Sequence, residues 1–328
     1  MTRRKFVYTS TLTMLVLAVT VAGLAFFTDF TASAALQDLP AAIRYLPADC
    51  QAVFGMNVQK FVASPVYVQM NEKHGQKIGT DLEQFIAATG VDPRRDVAYI
   101  IGAARGGDRR DSGIVMAVGT FNQATILDFI RTKTVPVNRD YKGYTVLAMP
   151  DGAGTSAEKG IAFLNGSVIA VGDVPSLNAV IDVAAGAPGI QANIALRDLL
   201  SQLSAEDMFW FAGDAPSILS KAPANTPVTQ TLSSVTSVFG TLNLTTMISG
   251  KVTVVAADDV AAAKLSDFVK GLLALGSLAG AQNADLAQLI QRVQIAQQAN
   301  QFTVTLDFPM ELLQKLEAAK TQIRSQVR

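Results

Sequence analysis

The chain is short of the side chains that most often perform chemistry. Its 328 residues include one His, one Cys and one Trp, whereas a zinc or iron centre draws on several His or Cys ligands. A Ser-His-Asp or Cys-His site would have to use His74, and no Gly-x-Ser-x-Gly elbow accompanies it. Charge is scarce too: 16% of residues are Asp, Glu, Lys or Arg, against about 25% in an average soluble protein. The 27 basic and 27 acidic side chains cancel, so no electrostatic footprint for nucleic acid is expected. Calcium-loop spacing is missing as well. No catalytic, cofactor-binding or metal-binding residue is assigned from the sequence.

What is present begins with an address. Thr2-Arg3-Arg4-Lys5 is a cationic start, residues 14–27 are apolar except for Thr20, and Thr31-Ala32-Ser33-Ala34-Ala35 is a small-residue stretch. This is the order of a secretory signal, with cleavage expected after Ala34. The alternative is an uncleaved anchor, since residues 6–27 form a longer, weakly polar to apolar segment with its positive end inside. The arginine pair also resembles a twin-arginine signal, although the apolar core fits the general secretory route better. Cleavage would remove three bases and one acid, leaving a net charge of −2. Cys50 would then stand alone in an oxidising compartment, with no internal disulfide open to it. Residues 260–281 are not a span, because Lys264, Asp267 and Lys270 interrupt them.

Internal similarity suggests the architecture. Leu46-Pro47-Ala48-Asp49 recurs as Leu203-Ser204-Ala205-Glu206, Asp128-Phe129-Ile130-Arg131 as Asp267-Phe268-Val269-Lys270, and Asp173-Val174-Pro175 as Asp307-Phe308-Pro309, in the same order. In the first part, Ala52, Phe54, Met56 and Val58 alternate as a strand. A helix opens at Ser64-Pro65 and closes at Gly75, and a second has a capping box at Thr80-Asp81-Leu82-Glu83 and stops at Gly90. Strands are expected over 96–103, 113–119, 144–149, 161–164 and 167–171, the last two flanking Asn165-Gly166. Helices are expected from Gln123 and after Pro175. In the second part, strands are expected over 208–212, 241–248, 251–256, 293–297 and 302–306, with helices from Asp259 and Pro309 and another through 285–292. Hairpins interspersed with helices give an α+β class: two tandem repeats of antiparallel sheet with helices on one face. The divisions are 1–35 signal or anchor, 36–186 first repeat and 187–328 second repeat, with a Gly- and Pro-containing linker at Ala184-Ala185-Gly186-Ala187-Pro188-Gly189.

Several stretches carry a resemblance. Leu46-Pro47-Ala48-Asp49 with its strand, Thr89-Gly90-Val91-Asp92-Pro93-Arg94-Arg95-Asp96-Val97, Gly119-Thr120-Phe121, Tyr141-Lys142-Gly143-Tyr144 and Val171-Gly172-Asp173 are similar to an exported, two-part α+β family of unknown function from environmental bacteria. The resemblance implies a signal segment and a two-part body. It brings no activity, substrate or catalytic residue.

The remaining polar groups have structural roles open to them. His74 lies in a polar stretch expected to end a helix, where a cation can meet terminal carbonyls. Asp92 and Asp96 suit a turn and a cap better than an acid/base pair, and Asp258-Asp259 suits a helix start. Arg105, Arg109 and Arg110, set around two glycines, form a candidate anion-binding turn, with a charged hairpin tip as the simpler alternative. Val260, Leu265, Phe268, Val269, Leu272 and Leu273 form a stripe that suits core packing, with a dimer contact as the alternative. These residues point to an exported or membrane-anchored envelope protein outside the cytoplasm, non-enzymatic, acting as a binding or scaffold module. Its partner would be an envelope protein, a polymer or a small ligand, with membrane contact only through residues 6–27 if uncleaved and no cofactor. The alternative is a carboxylate-dependent envelope glycan hydrolase or lyase, which needs neither His nor Cys.

Overall fold

The computed structural model describes residues 39–106, 112–149, 158–216, 232–280 and 284–312. The expected signal or anchor, residues 1–35, lies outside them. Among the described residues no helix is long and apolar enough to cross a membrane.

Capping side chains punctuate the first half. Strand β1 (Cys50–Asn57) ends at Asn57, whose side chain caps helix α1 (Val58–Val62). Ser64 caps α2 (Pro65–Thr89), which closes at Gly90 with φ 71°, a left-handed conformation that glycine adopts without strain. Here the structure corrects the expected pair of helices, because α2 runs unbroken through Gly75. Each interior glycine costs about 1 kcal/mol relative to alanine, but a break would expose a second set of unsatisfied backbone groups. His74 consequently sits inside a helix instead of at the end expected for it. After α3 (Pro93–Asp96) come β2 (Val97–Arg105), β3 (Gly113–Gly119) and α4 (Gln123–Lys133), the last capped by Asn122. A hairpin follows, β4 (Val137–Tyr141) and β5 (Tyr144–Met149), turning at Lys142 and Gly143, both with positive φ. Strands β6 (Lys159–Asn165) and β7 (Val168–Asp173) lead into α5 (Val174–Ala184), which Asp173 caps.

The second half begins with α6 (Ile194–Leu200) and β8 (Phe209–Asp214). Strands β9 (Val235–Leu244) and β10 (Met247–Ala256) turn at Thr245-Thr246, not at the Ser249-Gly250 turn expected from the sequence. With this turn Leu242, Leu244 and Ile248 join one buried apolar cluster. Helices α7 (Asp259–Gly280) and α8 (Ala284–Gln291) precede the hairpin of β11 (Val293–Gln298) and β12 (Gln301–Pro309).

The twelve strands among the described residues form one antiparallel sheet in the order β11-β12-β10-β9-β8-β1-β2-β3-β7-β6-β5-β4. The class is α+β. Strands β1 and β8 join the halves edge to edge, with Phe54 opposite Phe211 at the middle of the seam. Outward from that seam, β1-β2-β3-β7-β6 on one side has the connectivity of β8-β9-β10-β12-β11 on the other. Among the described residues, the first half adds β5 and β4 beyond β6 and the second half adds no counterpart beyond β11.

Pairing fixes which side chains share a face, because opposed residues point the same way and successive residues alternate. One face carries Val53, Ile101, Ile114, Met116, Ala170 and Trp210, packed with α5 and α6. The opposite face carries three clusters. Met56 and Ile100 pack with α1, and Ile161 and Phe163 pack with α4. In the second half Phe302 packs with Ala262 and Leu265 of α7. Helices of the first half therefore cover both faces of the sheet; in the second half α6 packs on the first face near the seam and α7 on the opposite one.

Candidate functional site

Close packing, not an opening, occupies the middle of the seam. A Cβ built on Gly55 would lie 2.1 Å from the indole of Trp210, and one on Gly102 would lie 1.9 Å from the ring of Phe54. Each glycine makes room for an aromatic side chain on the adjoining strand. Trp210 is buried, and its Nε1 has no hydrogen-bond partner.

Polar groups gather at the two ends of the seam. At one end the Asn57 side chain donates to the Tyr99 hydroxyl at 2.9 Å and to the Ala205 carbonyl, which also accepts from Tyr99. Lys60 reaches Glu206 at 2.5 Å. Burial raises the Asp207 carboxyl above its ordinary pKa, and hydrogen bonds from Asn243 and Thr241 offset part of that. At the other end Arg105 grips Asp49 through two nitrogens, at 3.0 and 2.6 Å, and also donates to Ser176. Asp173, fully enclosed, accepts from the backbone of Gly113 and from both the backbone and hydroxyl of Ser176. Burial pushes the Cys50 thiol up to about 12, which suppresses the thiolate that a nucleophile requires.

These contacts place the residues singled out in the sequence. The Arg105 guanidinium faces Asp49, while Arg109 and Arg110 lie outside the described residues. Asp92 caps α3 and pairs with Arg94, and Asp96 accepts from the Asp92 backbone and pairs with Arg95. Those arginine hydrogen bonds hold both carboxyls below their ordinary pKa. On α7 Leu265 is buried, whereas Val260 and Leu272 of the same expected stripe are exposed. Among the described residues no group of three or more His, Cys, Asp or Glu side chains is placed to hold a metal ion.

The surface that stands out was not anticipated as a site. On the sheet face away from α7, Lys251 lies opposite Thr241 and Thr305, and Thr253 lies opposite Phe239 and Thr303. Farther out, Gln294 and Ala296 of β11 lie opposite Thr305 and Thr303. The Thr253 and Thr303 hydroxyls share a hydrogen bond of 3.0 Å. Lys251, Gln294 and Ala296 are exposed, whereas Phe239, Thr241 and Thr253 nearer the seam are buried. The signal was in the alternation: Lys251 and Thr253, like Thr303 and Thr305, put polar side chains on both sides of a strand's inward set, where a two-sided core would need apolar ones. The surface offers hydroxyls, amides and one ammonium group, the chemistry of hydrogen-bonded recognition.

No protein-family model and no curated protein matches the chain. Solved structures do. The structure of crystal form III of TP0453 is similar with a TM-score of 0.50 and 8% identity, covering 84% of this chain and 97% of that one. Crystal form I of TP0453 has a TM-score of 0.46 and 10% identity, covering 86% of this chain and 98% of that one. At such identities the likeness concerns the fold alone.

Proposed function

We propose that this chain is an exported or membrane-anchored envelope protein that works by binding or scaffolding, without catalysing a reaction, and that the exposed polar residues of β10 and β11 on the face away from α7, Lys251 and Gln294, belong to its contact surface. The observation that carries this reading is the contrast between that face and the helix-sealed face on the other side of the seam. Outward of the buried Phe239, Thr241 and Thr253, that face carries mainly polar side chains, and Lys251 and Gln294 are exposed. The Lys251 ammonium and the Gln294 amide would face a partner protein, an envelope polymer or a small polar ligand. The polar groups at the seam ends support the reading in a different way. Asp49, Asp173, Asp92 and Asp96 are all engaged in holding strands and turns together, so they act as structural groups. The sequence start and its similarity to exported two-part proteins supply the location. We further propose that the two halves are copies of one unit, supported by their shared strand connectivity and the three recurring sequence stretches.

Photo-crosslinking in intact cells tests the contact surface. A crosslinking amino acid at Lys251 or Thr305 is expected to yield a discrete adduct, and the same group at Asn138 on β4 is expected to yield none. Equal labelling from both regions would overturn the assignment. Turnover of an envelope glycan by the purified protein, lost on replacing a single carboxylate, would replace it with the hydrolase or lyase reading.

A further inference from the structure

We propose that the outer edge of β11 is a self-association site, where two copies of this chain join β11 to β11 in antiparallel fashion and extend the sheet across a two-fold axis. The first observation is what the second half omits. In the first half the strand with the same place in the connectivity, β6, is paired on its outer side by β5. Beyond β5 the sheet ends in β4, whose Asn138, Arg139 and Asp140 are exposed. Charges of this kind blunt an edge against further pairing. Among the described residues of the second half there is no such hairpin, and no described strand pairs with the outer side of β11.

The second observation is composition. Val293-Gln294-Ile295-Ala296-Gln297-Gln298 contains no charge and no proline, so nothing in the strand repels another copy of itself. Geometry then sets the register. The two-residue turn Ala299-Asn300 places Gln298 opposite Gln301, and residues flanking such a turn exchange backbone bonds with each other. Bonding alternates along the ladder, so Gln298, Ala296 and Gln294 bond to β12. The backbone groups of Val293, Ile295 and Gln297 are directed out of the sheet. Two such edges fit with Ile295 facing its own copy, Val293 facing Gln297, and Gln294 facing Ala296.

The third observation is that the chain already makes one junction of this kind. Strands β1 and β8 join two half-sheets antiparallel about a central pair of like residues, Phe54 and Phe211. A two-fold axis normal to the sheet keeps each face on its own side. The exposed polar faces of the two copies would therefore lie next to each other as one wider surface. A strand pairing of five residues is small, so the dimer is a weak one.

Charge substitutions on the exposed residues Gln294 and Ala296 test the register without touching the core. The full-length chain in a non-ionic detergent is followed by sedimentation equilibrium up to millimolar concentration. Wild type is expected to dimerise. Gln294→Lys with Ala296→Lys opposes like charges twice across the axis and should weaken association about tenfold. Gln294→Lys with Ala296→Glu opposes unlike charges at the same places and should restore or tighten it. A wild type that stays monomeric overturns the proposal, as does association that both double variants leave unchanged. Weakening by both double variants would also overturn the register, because the second pair repels only in a different alignment.

Discussion

On one side of the seam the sheet face is apolar from β1 to β7, and on the other it turns from the buried Trp210 and Phe239 to Thr, Lys and Gln. Counting outward, the row Ala103, Ile114 and Gly172 corresponds in strand order to Thr241, Lys251 and Thr305. The next row sets Ile101, Met116 and Ala170 against Phe239, Thr253 and Thr303. Above the first set lies α5, with Leu177, Val180 and Ile181 completely buried. Small and apolar side chains on a sheet give an amphipathic helix something to exclude water from, and a row of Lys and Thr does not. The difference shows that a helical layer is decided by a few inward positions, even where strand order is the same.

Exchanging those positions should break the comparison most severely. Ile114 is 1% exposed, so Ile114→Lys buries an unpaired ammonium and should cost more than about 4 kcal/mol. Lys251→Ile, at the corresponding position, should change stability by no more than about 0.5 kcal/mol. Urea unfolding of the two variants measures both. A large loss from Lys251→Ile would mean that the second face is covered after all.

The seam itself is lopsided. The indole of Trp210 in the second half lies over Gly55 in the first, while the flanking pair is Val53 and Ala212. Gly55→Val should drive the indole out of place and cost about 3 kcal/mol, at the upper end of ordinary overpacking. Ala212→Gly removes one methyl group and should cost about 1 kcal/mol. Nearly equal losses in thermal unfolding would show that the seam yields on both sides alike.

A third contrast concerns two aspartates that the sequence places in similar settings. Asp173 is buried and satisfies three donors, whereas Asp307 is exposed within β12. Asp173→Ala leaves a helix uncapped and buried donors orphaned, for a loss of about 2–3 kcal/mol. Asp307→Ala should change stability by less than about 0.5 kcal/mol. Similar losses would imply that Asp307 supports a helix start as Asp173 does.

Much of this was legible in the sequence where a local rule acts alone. The helices expected from Gln123 and after Pro175 are present, capped by Asn122 and Asp173, because a side-chain acceptor beside orphaned backbone donors works in almost any surroundings. The strands over 113–119 and 144–149 show their burial in their composition. Strand β4 was missed because its centre, Asn138-Arg139-Asp140, is polar, as suits an edge strand that guards against pairing. The β9-β10 turn was misplaced because Ser249-Gly250 looks like a turn locally, while the long ladder with β12 decides the register. The merged sheet and the polar face depend on which strands become neighbours, and that is settled by contacts distant in sequence. The Arg105 partner was invisible for the same reason, since Asp49 lies on the far side of β1.

The smallest expected effects sharpen the comparison at matching ends of the seam. Under the recurrence that aligns Leu46 with Leu203, Cys50 corresponds to Asp207, and burial raises the pKa of both. A raised acid binds its proton more tightly when folded, so stability falls as pH rises from the unfolded pKa to the folded one. For Asp207 the fall begins near 3.8. Asp207→Asn should flatten the stability profile just above that pH and be relatively more stable near neutrality, by no more than about 1 kcal/mol after solvent screening. For Cys50 the window runs from 9.0 to about 12, and Cys50→Ala should flatten only the alkaline limb. The native thiol should also resist alkylation at pH 8 and react once unfolded, as mass spectrometry would record. If the acid limb is unchanged in Asp207→Asn, or the native thiol reacts as fast as the unfolded one, the two ends do not share buried acids as matched features.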